Sequence, residues 1–542
     1  MNLIISGLIL SIVILSLIIR QWKLYKKLKQ LRHDWGKIPE NALDIESVKT
    51  FFEFNKVNSI DHSYCVDEDT WHDLDFNEIF SLINRTTTPI GAQYLFYLLR
   101  HPVFKREILY KREELINNFS KDQNLREKVQ ITIQSLEEKN AKYLPYSLWK
   151  PLPEKPVYAK FLPFLSFLSL SILLLVLFDF LHFSVLIVIF IINLIIRSFV
   201  KRKIDVFIYS FQYLGVLIRT AEKISSLKFN ELKDIQKILI KNLRETKIIA
   251  KKIFALQFKD DLGLIEYLNI YFLWDISGFY SAIDEIEQHI DKLRKIYETV
   301  GYLDTLISIA SFRLDYHQSC RPSFNRNFNK YIVNAIYNPL LNNPVPNSFD
   351  FDTKNFIITG SNMSGKTTFL KTIGVNAILA QTINTSMAER YEAPLIKVIS
   401  SIGMADNLIL GKSYYLSEVE SILRLLKASN SDIIHLFILD EIFRGTNSVE
   451  RLASSIEVLN YLANEKDFIL VATHDLQLSR ILNHKYQNFH FREKVCEEGL
   501  SFDYKLHPGT STTRNAIALL KYVGYPKSIV ENASNRINNN GI

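Results

Sequence analysis

The chain is 542 residues long, too long for one ordinary hydrophobic core, and its length predicts several structural units. Its net charge of +8 does not by itself indicate a nucleic-acid-binding protein, because the excess positive residues at 20–32 and 201–203 lie beside apolar runs. The three cysteines Cys65, Cys320 and Cys496 are far apart, which argues against a disulfide framework or a zinc site and favours a reducing compartment.

The first predicted element is a membrane anchor over residues 1–20. Residues 2–19 carry no charge and are just long enough to cross a bilayer as a helix. A cleaved signal peptide is the alternative, but this segment lacks a basic n-region and a small-residue cleavage site. The basic cluster at 20–32 then predicts an outward-facing N-terminus and a cytoplasmic continuation.

The next predicted units are a cytoplasmic helical segment over 21–160 and a transmembrane hairpin over 161–200. The hairpin consists of two apolar runs that are interrupted only near Asp179 and His182. Basic residues precede and follow it, so both of its ends are predicted to be cytoplasmic. A buried hairpin in a soluble core is the alternative. With the anchor, the hairpin predicts three spans in an inner or plasma membrane.

Residues 201–325 are predicted to form a helical lever segment, because long helical stretches with charged outer faces contain few glycines. Within it, residues 262–279 are apolar but are interrupted by Glu266 and Asp275. This pattern favours a buried amphipathic helix over a fourth span.

Residues 326–542 are predicted to form an α/β domain, with a phosphate-binding loop at its centre. An apolar strand, a glycine-bounded turn and a helix follow one another over 356–370 and fit G-x-x-x-x-G-K-[ST] through Gly360, Gly365, Lys366 and Thr367. The glycines let backbone N–H groups point at phosphate oxygens. The lysine supplies a positive charge for the β- and γ-phosphates, and the threonine hydroxyl is a ligand for Mg²⁺.

Two later apolar strands end in residues suited to hydrolysis. The run 436–441 ends in Asp440, predicted to hold Mg²⁺, and Glu441, predicted to act as the general base. The run 468–475 contains His474 near its end, at an edge where open α/β sheets bind ligands, and this favours a γ-phosphate sensor. Ser413 heads a further helix, where it is either a phosphate ligand or a plain N-cap.

These motifs resemble the MutS family of DNA mismatch-repair ATPases. Residues 359–368, Thr-Gly-Ser-Asn-Met-Ser-Gly-Lys-Thr-Thr, are similar to the family's P-loop, and 440–447, Asp-Glu-Ile-Phe-Arg-Gly-Thr-Asn, to its second motif. Residues 402–413 resemble the family's signature that precedes the helix touching the partner's nucleotide. The resemblance implies ATP and Mg²⁺ as cofactors, a homodimer through the ATPase domain, and nucleotide contacts from Gly360, Ser361, Asn362, Met363, Ser364, Gly365, Lys366, Thr367, Thr368 and Ser413.

The resemblance extends upstream to residues of about 70–120 and to the stretch from about 300 to 347, which look like the start and the return of the family's core and lever region. There is no room for the family's mismatch-reading domain, since fewer than 50 residues separate the anchor from the core-like start. The connector domain is missing as well, so mismatch reading is not supported.

The sequence therefore predicts an α/β P-loop ATPase domain of the ABC/MutS type, joined to an all-α lever or core domain with transmembrane helices. The expected function is a membrane-anchored ATP hydrolase that uses a composite dimeric site to move its levers. DNA is one candidate ligand. The alternatives are a membrane-associated protein partner and a scaffold that does not hydrolyse ATP.

Overall fold

The structure is a computed structural model. It describes residues 2–39, 44–56, 64–253, 264–316, 318–325, 330–351, 355–361, 364–403, 414–463, 466–496, 499–510 and 516–540.

The helices of the described residues are numbered α1 to α20 in chain order. They are Asn2–Asp34, Ile45–Lys56, Glu68–Asp73, Phe76–Ile83, Pro89–Arg100, Arg106–Lys121, Gln123–Ile133, Leu144–Trp149, Leu162–Leu177, Ser184–Ser225, Lys233–Lys252, Leu264–Phe272, Trp274–Gln288, Ile290–Asp315, Lys366–Ile383, Tyr414–Ser429, Ser448–Leu462, Leu476–Ile481, Ala516–Val523 and Lys527–Asn540.

The strands of the described residues are numbered β1 to β10. They are Ser323–Phe324, Tyr331–Ile336, Asn347–Phe351, Asn355–Thr359, Arg390–Ala393, Lys397–Ile402, His435–Asp440, Phe468–Thr473, Tyr486–Cys496 and Gly499–Pro508.

The chain divides into two compact units. The first contains Met1–Asp61, Ile83–Tyr97 and Glu114–Asp315, and the second contains His62–Leu82, Leu98–Glu113 and Tyr316–Ile542. The regular secondary structure described in the first unit is all helical, and the described strands all belong to the second. The prediction of an α/β domain together with a largely helical region is therefore confirmed.

A six-stranded sheet in the order β10-β9-β4-β8-β7-β6 forms the centre of the second unit. Strands β9, β4, β8, β7 and β6 are parallel to one another, and β10 pairs antiparallel with β9. Strand β8 lies between β4 and β7, so the ends of all three meet at one edge. The second unit also contains a smaller mixed sheet in the order β1-β5-β2-β3.

The central strands are apolar throughout because helices cover both faces of the sheet. Phe437 and Ile469 lie in a core cluster with residues of α16 and α17. On the other face, Gly374 of α15 approaches β7 so closely that an added Cβ would lie 2.8 Å from the Cδ1 atom of Ile438. A glycine is needed there for this helix to lie flat on the sheet.

Strand β6 is the outer strand of the sheet, and residues of the α3 segment satisfy its backbone. Asp73 accepts hydrogen bonds from Ser400 Oγ at 2.7 Å and from the Ile402 N–H at 2.8 Å, and the Tyr64 hydroxyl donates to the Val398 carbonyl. These contacts cover backbone groups that an open sheet edge would leave exposed.

In the first unit, a buried carboxylate joins α14 to the start of α5. Both oxygens of Asp304 accept hydrogen bonds from the backbone and hydroxyl groups of Thr87 and Thr88, at 2.7–3.0 Å. Gly91 lies against the same carboxylate, and a Cβ there would come within 2.2 Å of Oδ2. The carboxylate thus holds Thr88 in place, and the Thr88 hydroxyl caps the first turn of α5 by accepting from the Gly91 N–H at 3.0 Å. Only glycine fits beside the carboxylate.

Two helices of the described part are long and apolar enough to cross a membrane, namely Val157–Leu177, which includes α9, and Ser184–Ser225, which is α10. Only 11% and 17% of their most apolar windows are buried. The predicted N-terminal anchor falls within α1, but most of its side chains lie outside the described residues, so that span stays a prediction. The apolar stretch 262–279 contains two helices, α12 and α13, separated at Leu273, whose φ is +54°.

Candidate nucleotide site

The phosphate-binding loop connects strand β4 to helix α15. Its two glycines have positive φ angles, +153° at Gly360 and +105° at Gly365, which other residues adopt only with strain. An added Cβ at Gly365 would also lie 3.2 Å from the Tyr504 ring. The glycines predicted from the motif are therefore required by the backbone itself.

Lys366 is the first residue of α15 and is buried beside the loop. Its Nζ atom donates to the carbonyls of Gly360 and Ser361, both at 2.8 Å. Burial lowers the pKa of this lysine, while Glu441 and Asp440 oppose that shift. A buried ammonium next to the loop backbone can bind phosphate oxygens.

Thr367 and Asp440 face each other, and they fit a magnesium ion. The Thr367 hydroxyl donates to Asp440 Oδ2 at 2.6 Å. The other carboxylate oxygen, Oδ1, is buried and has no hydrogen-bond partner within the described part of the chain. Burial raises the pKa of Asp440 despite the threonine contact. A hydroxyl and a carboxylate are oxygen ligands that Mg²⁺ prefers, and this ion is commonly held by only one or two carboxylates together with phosphate and water. This fits the finding that no cluster of three metal-binding side chains occurs among the described residues.

Glu441 and His474 meet at the ends of β7 and β8. The His474 Nδ1 atom lies within hydrogen-bond distance of the Glu441 carboxylate, and Arg444 Nη2 approaches the same carboxylate at 3.5 Å. Burial raises the pKa of Glu441, but His474, Arg444 and Lys366 outweigh it, so the pKa is lowered overall. The carboxylate is held ionised, as a general base must be.

A cavity of about 480 Å³ extends from the loop, and much of its lining escaped sequence prediction. Tyr504 and the segment 336–347 line it together with Lys366, Thr367 and Asp440. Asn347 fixes this wall, because its side chain donates to the Tyr504 carbonyl at 3.0 Å and accepts from the Leu506 N–H at 2.8 Å. Its volume lies within the range of small-molecule pockets, and the aromatic ring is suited to stacking on a base.

Glu418 on α16 is a second residue that the sequence did not single out. Its two carboxylate oxygens accept from the backbone N–H groups of Arg444 and Gly445, both at 3.1 Å. It is buried, and it ties α16 to the loop that follows Glu441. The sequence does show an acidic residue on the helix that precedes the predicted strand 436–441, and such a residue can accept hydrogen bonds from a nearby loop. It does not show that the partners of Glu418 are the N–H groups of Arg444 and Gly445.

The structure brings together Gly360, Ser361, Ser364, Gly365, Lys366, Thr367, Thr368, Asp440, Glu441 and His474 at one edge of the sheet. Ser361 donates to Glu493, and Ser364 is buried and lines the cavity. Asn362, Met363 and Ser413 lie outside the described residues, so their predicted roles stay predictions. The arrangement defines the class of the second unit as an α/β P-loop domain.

Comparison with known proteins identifies the kind of P-loop domain. Residues 356–540 match the family description MutS domain V. The chain is 29% identical over 259 residues to the DNA mismatch repair protein MutS of Thermus thermophilus, and 28% identical over 265 residues to that of Natronomonas pharaonis. These matches cover 47% of this chain and 31% and 30% of the two relatives, so the chain spans about a third of their length. The predicted relationship to the MutS family is confirmed: the chain carries a MutS domain V.

Proposed function

We propose that this chain is a MutS-like ATPase that is attached to a membrane and hydrolyses ATP to move its helical unit. The observation that carries the ATPase proposal is the grouping of Thr367 and Asp440 with the Glu441–His474 pair beside the phosphate-binding loop. The relatives are named for DNA mismatch repair, which makes DNA a candidate ligand.

The proposed reaction is the attack of a water oxygen on the γ-phosphorus of ATP. The new P–O bond forms as the bond to the β–γ bridging oxygen breaks, and ADP leaves. The lowered pKa keeps Glu441 ionised, and its carboxylate accepts the proton of the attacking water. His474 contacts the Glu441 carboxylate and is the proposed sensor of the γ-phosphate, and Lys366 binds the phosphates.

Mg²⁺ would be held by Thr367 and Asp440 and would neutralise charge on the β- and γ-phosphates. The cavity lined by Tyr504 and residues 336–347 would receive the base. A second copy of the chain would complete the site through the Ser413 helix, a step that rests on the MutS resemblance.

The test of the ATPase is a Glu441→Gln variant of the full chain in detergent. Turnover is expected to fall about 10³-fold with ATP affinity retained, because the amide cannot accept the proton. The matched control is Glu457→Gln, an exposed acid on α17 that leaves turnover unchanged. Equal turnover in wild type and Glu441→Gln would refute Glu441 as the general base. If the wild-type chain binds ATP but does not hydrolyse it, the alternative of a non-hydrolysing scaffold is favoured.

The same Glu441→Gln protein tests the homodimer, since ATP should hold two copies together once hydrolysis is blocked. Light scattering should report the mass of a dimer with ATP and of a monomer without it. A monomer under both conditions would contradict the composite site.

The test for DNA is binding of duplex and branched DNA by the full chain at two salt concentrations. Phosphate contacts impose a steep loss of affinity between about 50 and 200 mM salt. No binding at the lower salt would exclude DNA and leave a membrane-associated protein as the partner.

The membrane proposal has its main support in α9 and in the first half of α10. Phe167 of α9 is 66% exposed, and Ile191 and Phe199 of α10 are 50% and 71% exposed. A soluble surface rarely leaves so many neighbouring apolar side chains in water. Retention in the membrane fraction after an alkaline carbonate wash is expected, and release by that wash would refute it.

A further inference from the structure

Helices α12 and α13 form a second, shorter hairpin beside α9 and α10. Helix α12 has nine residues, and the left-handed conformation of Leu273 turns the chain back into α13. Nine helical residues are about 14 Å long, less than half of a bilayer's hydrocarbon layer of about 30 Å. The described helix α12 is therefore too short to be a further crossing.

The contacts of this short hairpin fix its direction. Near the start of α12, Glu266 lies 3.3 Å from Arg197 and 4.0 Å from Lys201 of α10. At its end, the Tyr271 carbonyl accepts a hydrogen bond from Asn193 Nδ2 at 2.5 Å. Helix α12 thus runs from the basic end of the apolar segment toward its middle.

Helix α13 brings the chain back the same way. Asp275, in its first turn, binds Arg197 Nε at 2.9 Å, and further along Tyr280 packs edge-on against Tyr158, which precedes α9. The turn therefore lies at the depth of Asn193, eight residues or about 12 Å beyond Lys201. This is the depth of a single leaflet.

The polar side chains of α10 that face the turn are paired, whereas Asn269 Oδ1 and the Tyr271 hydroxyl of α12 are buried without a hydrogen-bond partner among the described residues. Asn193 is buried, and its amide donates both to Ser169 Oγ at 3.0 Å and to the Tyr271 carbonyl at the end of α12. The buried Arg197 is neutralised by Asp275. Irregular backbone at membrane depth is tolerated where neighbouring helices satisfy it in this way.

The outer face of the short hairpin is apolar and exposed. Tyr267 and Leu268 of α12 are 61% and 43% exposed, and Trp274 is 40% exposed. The ring of Tyr267 stacks beside Phe190 of α10, so this face continues the exposed face of the longer hairpin. The charged Glu266, 61% exposed in its side chain, lies at the basic end, where headgroups and water would be.

We propose that residues 264–280 are a re-entrant element that dips into one leaflet of the bilayer, with its α12 face in contact with lipid hydrocarbon. This inference rests on the proposed membrane attachment through α9 and α10. The helical unit would then contact the bilayer at two places, through the hairpin of α9 and α10 and through the shorter hairpin of α12 and α13.

The experiment uses the full chain in phosphatidylcholine vesicles, with Cys65, Cys320 and Cys496 replaced by serine and one new cysteine at a time. Tyr267→Cys and Leu268→Cys probe the re-entrant face. Phe167→Cys and Ile191→Cys probe the longer hairpin. Ile240→Cys and Ile248→Cys are matched controls, because these isoleucines of α11 are about equally exposed, at 51% and 49%.

A membrane-impermeant maleimide should label positions 267 and 268 about 10-fold more slowly than 240 and 248, because the thiolate that reacts forms in water. A fluorophore at 267 or 268 should be quenched by brominated lipids, more by bromines near the headgroup than by bromines at the chain ends. Fluorophores at 240 and 248 should not be quenched.

Three results would overturn the inference. Fast labelling at 267 and 268, with 167 and 191 protected, would refute the re-entrant element and leave the longer hairpin in the membrane. Protection at 267 and 268 without quenching by lipid would mean that protein covers this face. Fast labelling at 167 and 191 as well would refute the membrane attachment itself.

Discussion

Two buried aspartates, one in each unit, differ in how their oxygens are used. Asp304 in the helical unit accepts four hydrogen bonds, two on each oxygen. Asp440 in the P-loop unit accepts one from Thr367, and its Oδ1 has no partner within the described residues. Burial raises the pKa of both carboxyl groups. A carboxylate whose oxygens are all hydrogen-bonded, like that of Asp304, stabilises the fold. A buried carboxylate oxygen without a hydrogen-bond partner in the described part of the chain, like Asp440 Oδ1, is available to bind a ligand.

The largest expected effect comes from Asp440→Asn. Losing a charged ligand for Mg²⁺ should raise the activation free energy by about 4 kcal/mol, which lowers ATP turnover roughly a thousandfold. The magnesium concentration needed for half-maximal turnover should also rise. The thermal midpoint of the P-loop unit should stay the same or rise, because an incompletely paired buried charge is removed. Steady-state kinetics against magnesium, together with calorimetry, check both. A large fall in stability would mean that Asp440 is a framework residue like Asp304.

Asp304→Asn should have the opposite profile. An amide places a donor against the N–H and hydroxyl donors of Thr87 or Thr88, which should cost about 3 kcal/mol of local stability. ATP affinity should not change. Hydrogen exchange at α5 and α14 measures the loss, and Asp291→Asn on α14, 88% exposed in its side chain, is the matched control. Unchanged exchange would show that the four hydrogen bonds contribute little.

Glu418 is an intermediate case, because both of its carboxylate oxygens accept hydrogen bonds from the loop that follows Glu441. Glu418→Gln should loosen the Arg444–Gly445 backbone and lower kcat about 5-fold to 10-fold, the cost of one charge-assisted hydrogen bond. KM for ATP should not change, because Glu418 does not line the cavity. A change in KM with constant kcat would contradict a positioning role for this residue.

The smallest expected effect is a pH dependence from Asp304. Its pKa in the folded state is raised above the ordinary value of 3.8, so the folded state binds the proton more tightly than the unfolded state. The stability contributed by Asp304 is therefore greatest below pH 3.8 and falls as the pH rises through the folded-state pKa, by at most about 1.4 kcal/mol per pH unit. The stability difference between wild type and Asp304→Asn should narrow over that window. A widening difference would mean that the hydrogen bonds outweigh burial.

The sequence was most informative where function depends on neighbouring residues. The loop 360–367 and the pair Asp440–Glu441 carry their chemistry in a local pattern, and the structure brings them to one sheet edge with β8 between their strands. Thr87, Thr88 and Asp304 lay within stretches that resemble the MutS family, but their hydrogen bonds join residues more than 200 positions apart. No local pattern encodes such a pairing.

Other parts could not be predicted from the sequence, because long-range packing decides them. Tyr504 enters the cavity wall through an irregularity in β10, where its φ is +52° and Asn347 holds it. The sequence pattern groups residues 62–82 with the helical segment, whereas in the structure they cluster with the P-loop unit, where Asp73 covers the edge of β6. The apolar stretch 262–279 predicts one buried helix, whereas the turn at Leu273 divides it.

Helix α10 has a mechanical consequence. Its 42 residues run without a break from the apolar segment into the core of the helical unit, which makes a rod about 63 Å long. The two halves of such a rod tilt together, so a tilt of about 5° displaces one end relative to the other by roughly 5 Å. The stiffness of a single helix thus makes the apolar end of α10 sensitive to small rotations in the helical unit. Under the proposed membrane attachment, bilayer tension would act back along the same helix.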